Sequence, residues 1–129
     1  MPPEADGVSP PPENLKVLGD FLHQDPFRNS IRVLILISLG MNRHLGFTDL
    51  LELTEVSKGS LAHHLDQLAA AGFVSSRMVF TLMGPRIRVE ITPTGIEAFE
   101  NLTRALAHVT AQGSARPPDA SPMAELSSR

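Results

Sequence analysis

Apolar residues recur along the middle of the chain in two rhythms, one of helical spacing and one that alternates. Leu15, Leu18 and Leu22, joined by Phe21, fall on one helical stripe, with Asn14 suited to cap it. Asp25-Pro26 offers a cap followed by proline at the first helical position, which predicts a second helix starting there. It runs through Phe27, Ile31, Leu34 and Ile35 toward Leu39, with Gly40 as its expected stop. Thr48 is the expected cap of a third, short helix carrying Leu50, Leu51 and Leu53 and ending near Thr54. After a turn at Glu55-Val56, Ser57 caps a fourth helix with Leu61, Leu65 and Leu68 on one face and Gly72 past its end. The rhythm then changes. Val74, Met78 and Phe80 lead to a break at Gly84-Pro85, and Arg86 to Ile91 alternates polar with apolar, the mark of a half-buried strand. Thr92-Pro93 opens a last helix reaching about Val109.

The predicted order is helix, helix, helix, helix, strand, strand, helix, with a short extra strand expected near Phe47. A short helix, a tight turn and a second helix make a helix-turn-helix, and the following β-hairpin adds a wing. The fold class is mainly α with a small β-hairpin (α+β), a winged helix-turn-helix with additional N- and C-terminal helices. Residues 1–13 hold five prolines and residues 111–129 are rich in Gly, Ser and Pro, so both are expected to be disordered extensions of a single folded domain at 14–110.

Composition narrows the chemistry. At 129 residues and 42% hydrophobic, the chain has apolar material for one core. Cysteine is absent, which excludes disulfides, thiolate metal sites and a Cys nucleophile, and agrees with a reducing cytoplasm. No apolar stretch is long enough to predict a membrane span, and the N-terminus, with Glu4, Asp6 and repeated prolines, does not read as a signal peptide. The net charge of −3 argues against a nucleic-acid partner until its distribution is considered. Residues 14–109 carry nine basic and nine acidic groups, whereas residues 56–88 carry Lys58, Arg77, Arg86 and Arg88 against Asp66 alone.

Positive charge thus collects on the segment predicted to be the second helix of the helix-turn-helix and its wing. Ser57, Lys58, Gly59 and Ser60 stand at a helix N-terminus, where backbone N–H groups favour phosphate. One turn on, His63, His64 and Gln67 can hydrogen-bond base edges, and Lys58 reaches phosphate or guanine. Arg77, Arg86 and Arg88 are placed to contact the phosphate backbone or minor groove, and Thr48 to contact the duplex from the preceding helix.

These residues resemble the small single-domain winged-helix regulators of the MarR/ArsR superfamily, which are prokaryotic transcription factors. The likeness rests on Asp25-Pro26 with Arg28 and Ile31-Arg32, on Phe47-Thr48-Asp49-Leu50, on Ser57-Lys58-Gly59-Ser60-Leu61-Ala62-His63-His64-Leu65, on Leu68, on Ala71-Gly72-Phe73-Val74 and on Ile91-Thr92-Pro93-Thr94-Gly95, within about residues 17–108. It implies a homodimeric transcriptional regulator with its recognition helix in the major groove of double-stranded DNA. One departure stands out. The family's wings are commonly rich in Arg and Lys, whereas this one carries Leu82-Met83.

Phe99, Leu102, Leu106 and Val109 form a heptad-like seam, and Leu15, Leu18 and Leu22 a similar narrow stripe. One small core does not easily cover both, so these residues are the expected dimer interface, with ordinary core packing as the alternative. Adjacent histidines on a helix point about 100° apart and do not share a metal, so no metal or other cofactor is expected. Ser57 and Ser60 near His63 and His64 read as a cap and a helix-face serine rather than a Ser–His pair, and no enzyme activity is expected. Two alternatives remain open: a protein-interaction module with weak or no DNA binding, and an effector sensor in which Met41, Met78 and Met83 line a small-molecule pocket.

Overall fold

The computed structural model describes residues 13–113. Five helices surround a small antiparallel sheet: α1 (Glu13–His23), α2 (Ser30–Asn42), β1 (His44–Gly46), α3 (Phe47–Thr54), α4 (Lys58–Ala70), β2 (Val74–Thr81), β3 (Gly84–Ile91) and α5 (Pro93–Gly113). The sheet order is β1-β3-β2, with Leu45 opposite Val89 and Val74 opposite Ile91. This is the α+β winged helix the periodicity predicts. The expected extensions at 1–13 and 111–129 lie outside the described residues, except that Glu13 and 111–113 are helical.

Several boundaries differ from expectation, each for a local reason. The second helix does not start at Asp25-Pro26, where the peptide bond is cis and the chain makes a turn closed by Phe27 N–H donating to the Gln24 carbonyl at 2.7 Å. The Asn29 side chain is the cap, accepting from the amides of Ile31 (2.8 Å) and Arg32 (3.3 Å). Gly40 does not stop this helix. It lies in the interior against the Phe99 ring, and Arg43, at φ 72°, is the C-cap instead, its N–H donating to the Leu39 carbonyl at 2.6 Å. Thr48 does not cap α3. Gly46 holds that position, and the carboxylate of Asp49 reaches back to accept its N–H at 3.1 Å. The short extra strand expected near Phe47 is β1, which ends one residue before it and pairs with β3. The first helix begins at Glu13, ahead of Asn14, and the last runs beyond Val109 to Gly113.

The core is aliphatic with an aromatic corner. Ile35, Leu36 and Leu39 of α2, Leu50 of α3, Leu61 and Leu68 of α4 and Val89 of β3 are fully buried. Phe21 of α1 stacks on Phe27 with ring centroids 4.8 Å apart, and Phe27 meets Phe73 at 4.9 Å. Thr92 then ties three segments together. Its N–H donates to the Phe73 carbonyl (3.0 Å), its hydroxyl donates to the Gly72 carbonyl (2.6 Å), and the same oxygen accepts the Gly95 N–H (2.9 Å), capping α5. The end of α4, the end of the wing and the start of the last helix are therefore one junction.

That junction leaves no room for a side chain at Gly95. A Cβ there meets the Phe73 carbonyl oxygen at 2.1 Å, and backbone cannot step aside as a side chain can. Gly95→Ala is expected to destabilise the fold by about 2–3 kcal/mol, the upper range for overpacking. Gly40→Ala, opposed by the Phe99 ring rather than by backbone, is expected to cost less. Urea unfolding of both variants measures the ranking; equal stability of Gly95→Ala and wild type contradicts it.

Candidate nucleic-acid interface

The helix-turn-helix is α3, the turn 55–57 and α4. Glu55 closes α3 in the left-handed region at φ 57°, so the chain reverses within three residues. Ser57 caps α4, its Oγ accepting the Ser60 N–H at 3.1 Å. From there the helix has two faces. Leu61, His64, Leu65 and Leu68 are buried, while Lys58, Gly59, Ala62, His63, Asp66 and Gln67 are exposed. Ser60 is half-buried at the edge. Lys58, Gly59, His63 and Gln67 thus all lie on the broad solvent-facing side of a firmly packed helix, with Lys58 and Gln67 at its two edges.

His64 is the correction. Expected among the base-contacting residues, it points inward instead, and its Nδ1 accepts a hydrogen bond from Arg32 Nε of α2 at 3.0 Å. A sequence signal was present: His64 stands three residues after Leu61 and four before Leu68, on the stripe that packs. Arg32, 32 positions away, carried no such signal. It also donates to the Pro26 carbonyl at 3.5 Å, so one guanidinium links the turn before α2 to α4.

The wing is a two-stranded finger, and its basic residues are not equivalent. Arg77 and Arg88 are directly opposed in the ladder, and both face Glu90, Arg77 at 2.8 Å and Arg88 at 3.8 Å. Arg86 lies near the tip, exposed, donating to the carbonyl of its neighbour Pro85. It shares a cleft of about 370 Å3 with Gly46, Phe47, Thr48, Asp49 and Ile87, which brings together the Thr48 and Arg86 positions.

Beyond the root of the wing, the apolar side chains of β2 are uncovered. Val74 is buried, but Met78 and Phe80 on the same strand are exposed, because the finger extends past the helices that cover its base. The methionines do not gather into a pocket either. Met41, Met78 and Met83 are each more than half exposed, at 73%, 55% and 79%.

The terminal helices pack on each other within the chain. Leu102 is buried in the core, Phe99 sits against Gly40, and Leu18 and Leu22 pack on the core from α1, so these expected interface positions are already covered internally. Val109 is half-buried, while Leu15 and Leu106 remain exposed, as does Val17. A groove of about 510 Å3 opens between α1 and α5, lined among others by Val17, Phe21, Arg104 and His108.

The Arg32–His64 bond has a pH consequence. Burial first, then the Arg32 guanidinium, then His63 hold the His64 imidazole below the ordinary histidine value. Protonation of Nδ1 turns the acceptor into a donor facing Arg32. The folded state therefore resists a proton that the unfolded chain takes up near pH 6.5. Stability from this source is full above that pH and declines as pH falls through it toward the lower folded value. The variant His64→Asn keeps an acceptor without a titrating group. Its stability is expected to fall less steeply than wild type below pH 6.5 in urea titrations, and parallel curves contradict the assignment.

Comparison with known proteins agrees with this architecture. The family model described as "Winged helix DNA-binding domain" matches residues 31–110. A search of curated proteins finds no match. Among solved structures, a transcriptional regulator homologue from Pyrococcus horikoshii OT3 is 26% identical, with a TM-score of 0.64 over 75% of this chain and 96% of that one. MepR from Staphylococcus aureus, solved as a DNA complex, is 17% identical with a TM-score of 0.65, over 90% and 91%. RV1404 from Mycobacterium tuberculosis is 14% identical with a TM-score of 0.67, over 85% and 73%. With its helix-turn-helix, its wing and a matching family model over 31–110, the chain belongs to the winged helix DNA-binding domain family and has the fold of MarR-like regulators.

Proposed function

We propose that this protein is a homodimeric transcriptional regulator that reads a palindromic operator with α4 in the major groove and the β2–β3 wing on the flanking backbone. The observation that carries the reading is the exposed strip of α4. Lys58, Gly59, His63 and Gln67 project from a helix anchored on its opposite face by Leu61, Leu65 and Leu68. Ser57 and Ser60 border the helix N-terminus, a favoured place for phosphate. Lys58, Arg86, Thr48, Arg77 and Arg88 are the backbone contacts, and His63 and Gln67 the base readers. His64 supports the helix from within. The MepR–DNA complex supports the partner by analogy of fold.

The dimer reading rests on the exposed apolar residues of the terminal helices, Leu15, Val17 and Leu106, of which Val17 also lines the groove between α1 and α5. A second copy covering them sets two recognition helices on half-sites about 34–36 Å apart. Leu106→Glu is expected to convert a dimer to a monomer in sedimentation and to weaken operator binding with it. An unchanged dimer removes Leu106 from the interface.

Selection of bound duplexes from a random pool is the decisive experiment, with an enriched palindrome as the expected result. Lys58→Ala and Arg86→Ala are expected to weaken binding across sequences and each to lower the salt slope by about 1, as loss of one phosphate contact does. Gln67→Ala is expected to relax preference at one base position instead, at a cost of about 1–3 kcal/mol. No binding to any duplex at low salt at about 10⁻⁴ M, the weak end of non-specific affinity, rejects the DNA reading.

A further inference from the structure

The wing tip concentrates large apolar side chains where the fold gives them nothing to pack on. Leu82 is fully exposed at 106%, and Met83 and Phe80 are at 79% and 83%. Met78 and Ile87 face each other in the ladder and continue the apolar surface toward the sheet root. A contiguous exposed apolar surface on a small domain marks a contact.

The tip is also braced. Thr81 and Gly84 close the hairpin as the last paired residues, leaving Leu82 and Met83 as a two-residue apex. The Thr81 hydroxyl oxygen accepts the Met83 N–H at 3.1 Å, and its hydrogen is donated to the Gly84 carbonyl at 2.8 Å. Gly84 stands at φ 103°, a conformation that a side chain resists. The apex is thus a shaped projection that holds Leu82 and Met83 outward.

Its charge surroundings favour one occupant. Between Met78 and Ile87 the only charged residue is Arg86. The nearest carboxylate in the hairpin, Glu90, lies at the root and is engaged by Arg77 and Arg88. An apolar apex beside an exposed guanidinium, with no acid in the outer half of the hairpin and Asp49 of α3 facing Arg86 only across the cleft at the wing's base, suits a polyanion with an apolar interior. The exposed apolar side chains of the finger, Leu82 and Met83 with Phe80, Met78 and Ile87, are far fewer than the about 20–30 residues per side of a stable protein interface.

We infer that the wing tip is an apolar wedge: Leu82 and Met83 insert into the minor groove of duplex DNA and partly unstack a base step, while Arg86 holds the adjoining phosphate. The inference rests on the DNA-binding reading and adds a mode of recognition to it. Unstacking costs least at flexible pyrimidine–purine steps, so the wedge selects such a step beside the half-site read by α4 without hydrogen-bonding to its bases. The duplex kinks toward the major groove.

The test uses the full chain and a duplex enriched by it from a random pool, labelled at both ends for energy transfer. Wild type is expected to bend this duplex by about 20–90°. The double variant Leu82→Ser/Met83→Ser, altered only at exposed positions, is expected to keep its helical circular dichroism and its salt slope. It is expected to lose the bend and to lose preference for a pyrimidine–purine step in a parallel selection. Equal bending by wild type and variant overturns the wedge and leaves the DNA reading intact. Absence of binding by wild type to any duplex overturns both. A change in oligomeric state of the variant without DNA, seen by sedimentation, assigns the tip to a protein contact and also overturns the wedge.

Discussion

A recognition helix must be held rigidly by one face while the other is left free, and here Leu61, Leu65 and Leu68 meet that constraint. A helix of 13 residues has little stability of its own in water. Each of these leucines, 5% exposed or less, adds about 1.5–3 kcal/mol of burial. They fix the helix along its length against the packed interior built by α2, α3 and the sheet. The exposed strip from Lys58 to Gln67 has a defined direction only because the opposite strip is committed to the core. The rest of the domain serves that commitment: α2 supplies Ile35, Leu36 and Leu39, and the Thr92 junction stops the C-terminal end of α4 from drifting relative to the wing.

His64 shows how a polar group enters such an anchor without spoiling it. A buried imidazole left without a partner destabilises a core, and a charged one does so more strongly. The Arg32 Nε–H supplies the partner and also disfavours the charged form. The cost of burial is offset by a link between α2 and α4 that no apolar residue makes. This arrangement selects the tautomer with the proton on Nε2, because Nδ1 is the acceptor. The recognition helix is thus held by dispersion along its stripe and by one directional bond that fixes its rotation.

What was legible in the chain follows the range of the interactions involved. Helical stripes and strand alternation depend on neighbours within a few positions, so the element order, the helix-turn-helix and the hairpin could be read directly. Ser57 as the cap of α4 could be read for the same reason, since its partner is Ser60. Misreadings arose where a distant group decided the outcome. Gly40 looks like a helix stop until Phe99, 59 positions on, is seen to occupy the space beside it. Leu102 looks like a dimer seam until the core takes it. Asp25-Pro26 is a different case: two local start signals competed, and Asn29 won by making two side-chain hydrogen bonds. His64 has the residue type of a base reader but the place on the stripe of a core residue, and the place decides where it points.

The wing shows a different limit of local pattern. Alternation correctly marks Met78, Phe80 and Ile87 as one face of a sheet, and alternation ordinarily means that face is covered. Coverage depends on how far the sheet extends beyond the helices, and no local pattern encodes that. With β1 only three residues long and pairing only with 88–90 of β3, the outer half of the hairpin stands alone. An apolar face in that position is not needed for folding: it cannot add to the core and it raises the risk of aggregation. A finger that served only to touch phosphates would be expected to carry polar or basic residues at its apex, as the family's wings commonly do. This one instead places leucine and methionine on a braced turn beside Arg86. The chemistry of the apex is therefore better explained by what the domain meets than by what holds it together.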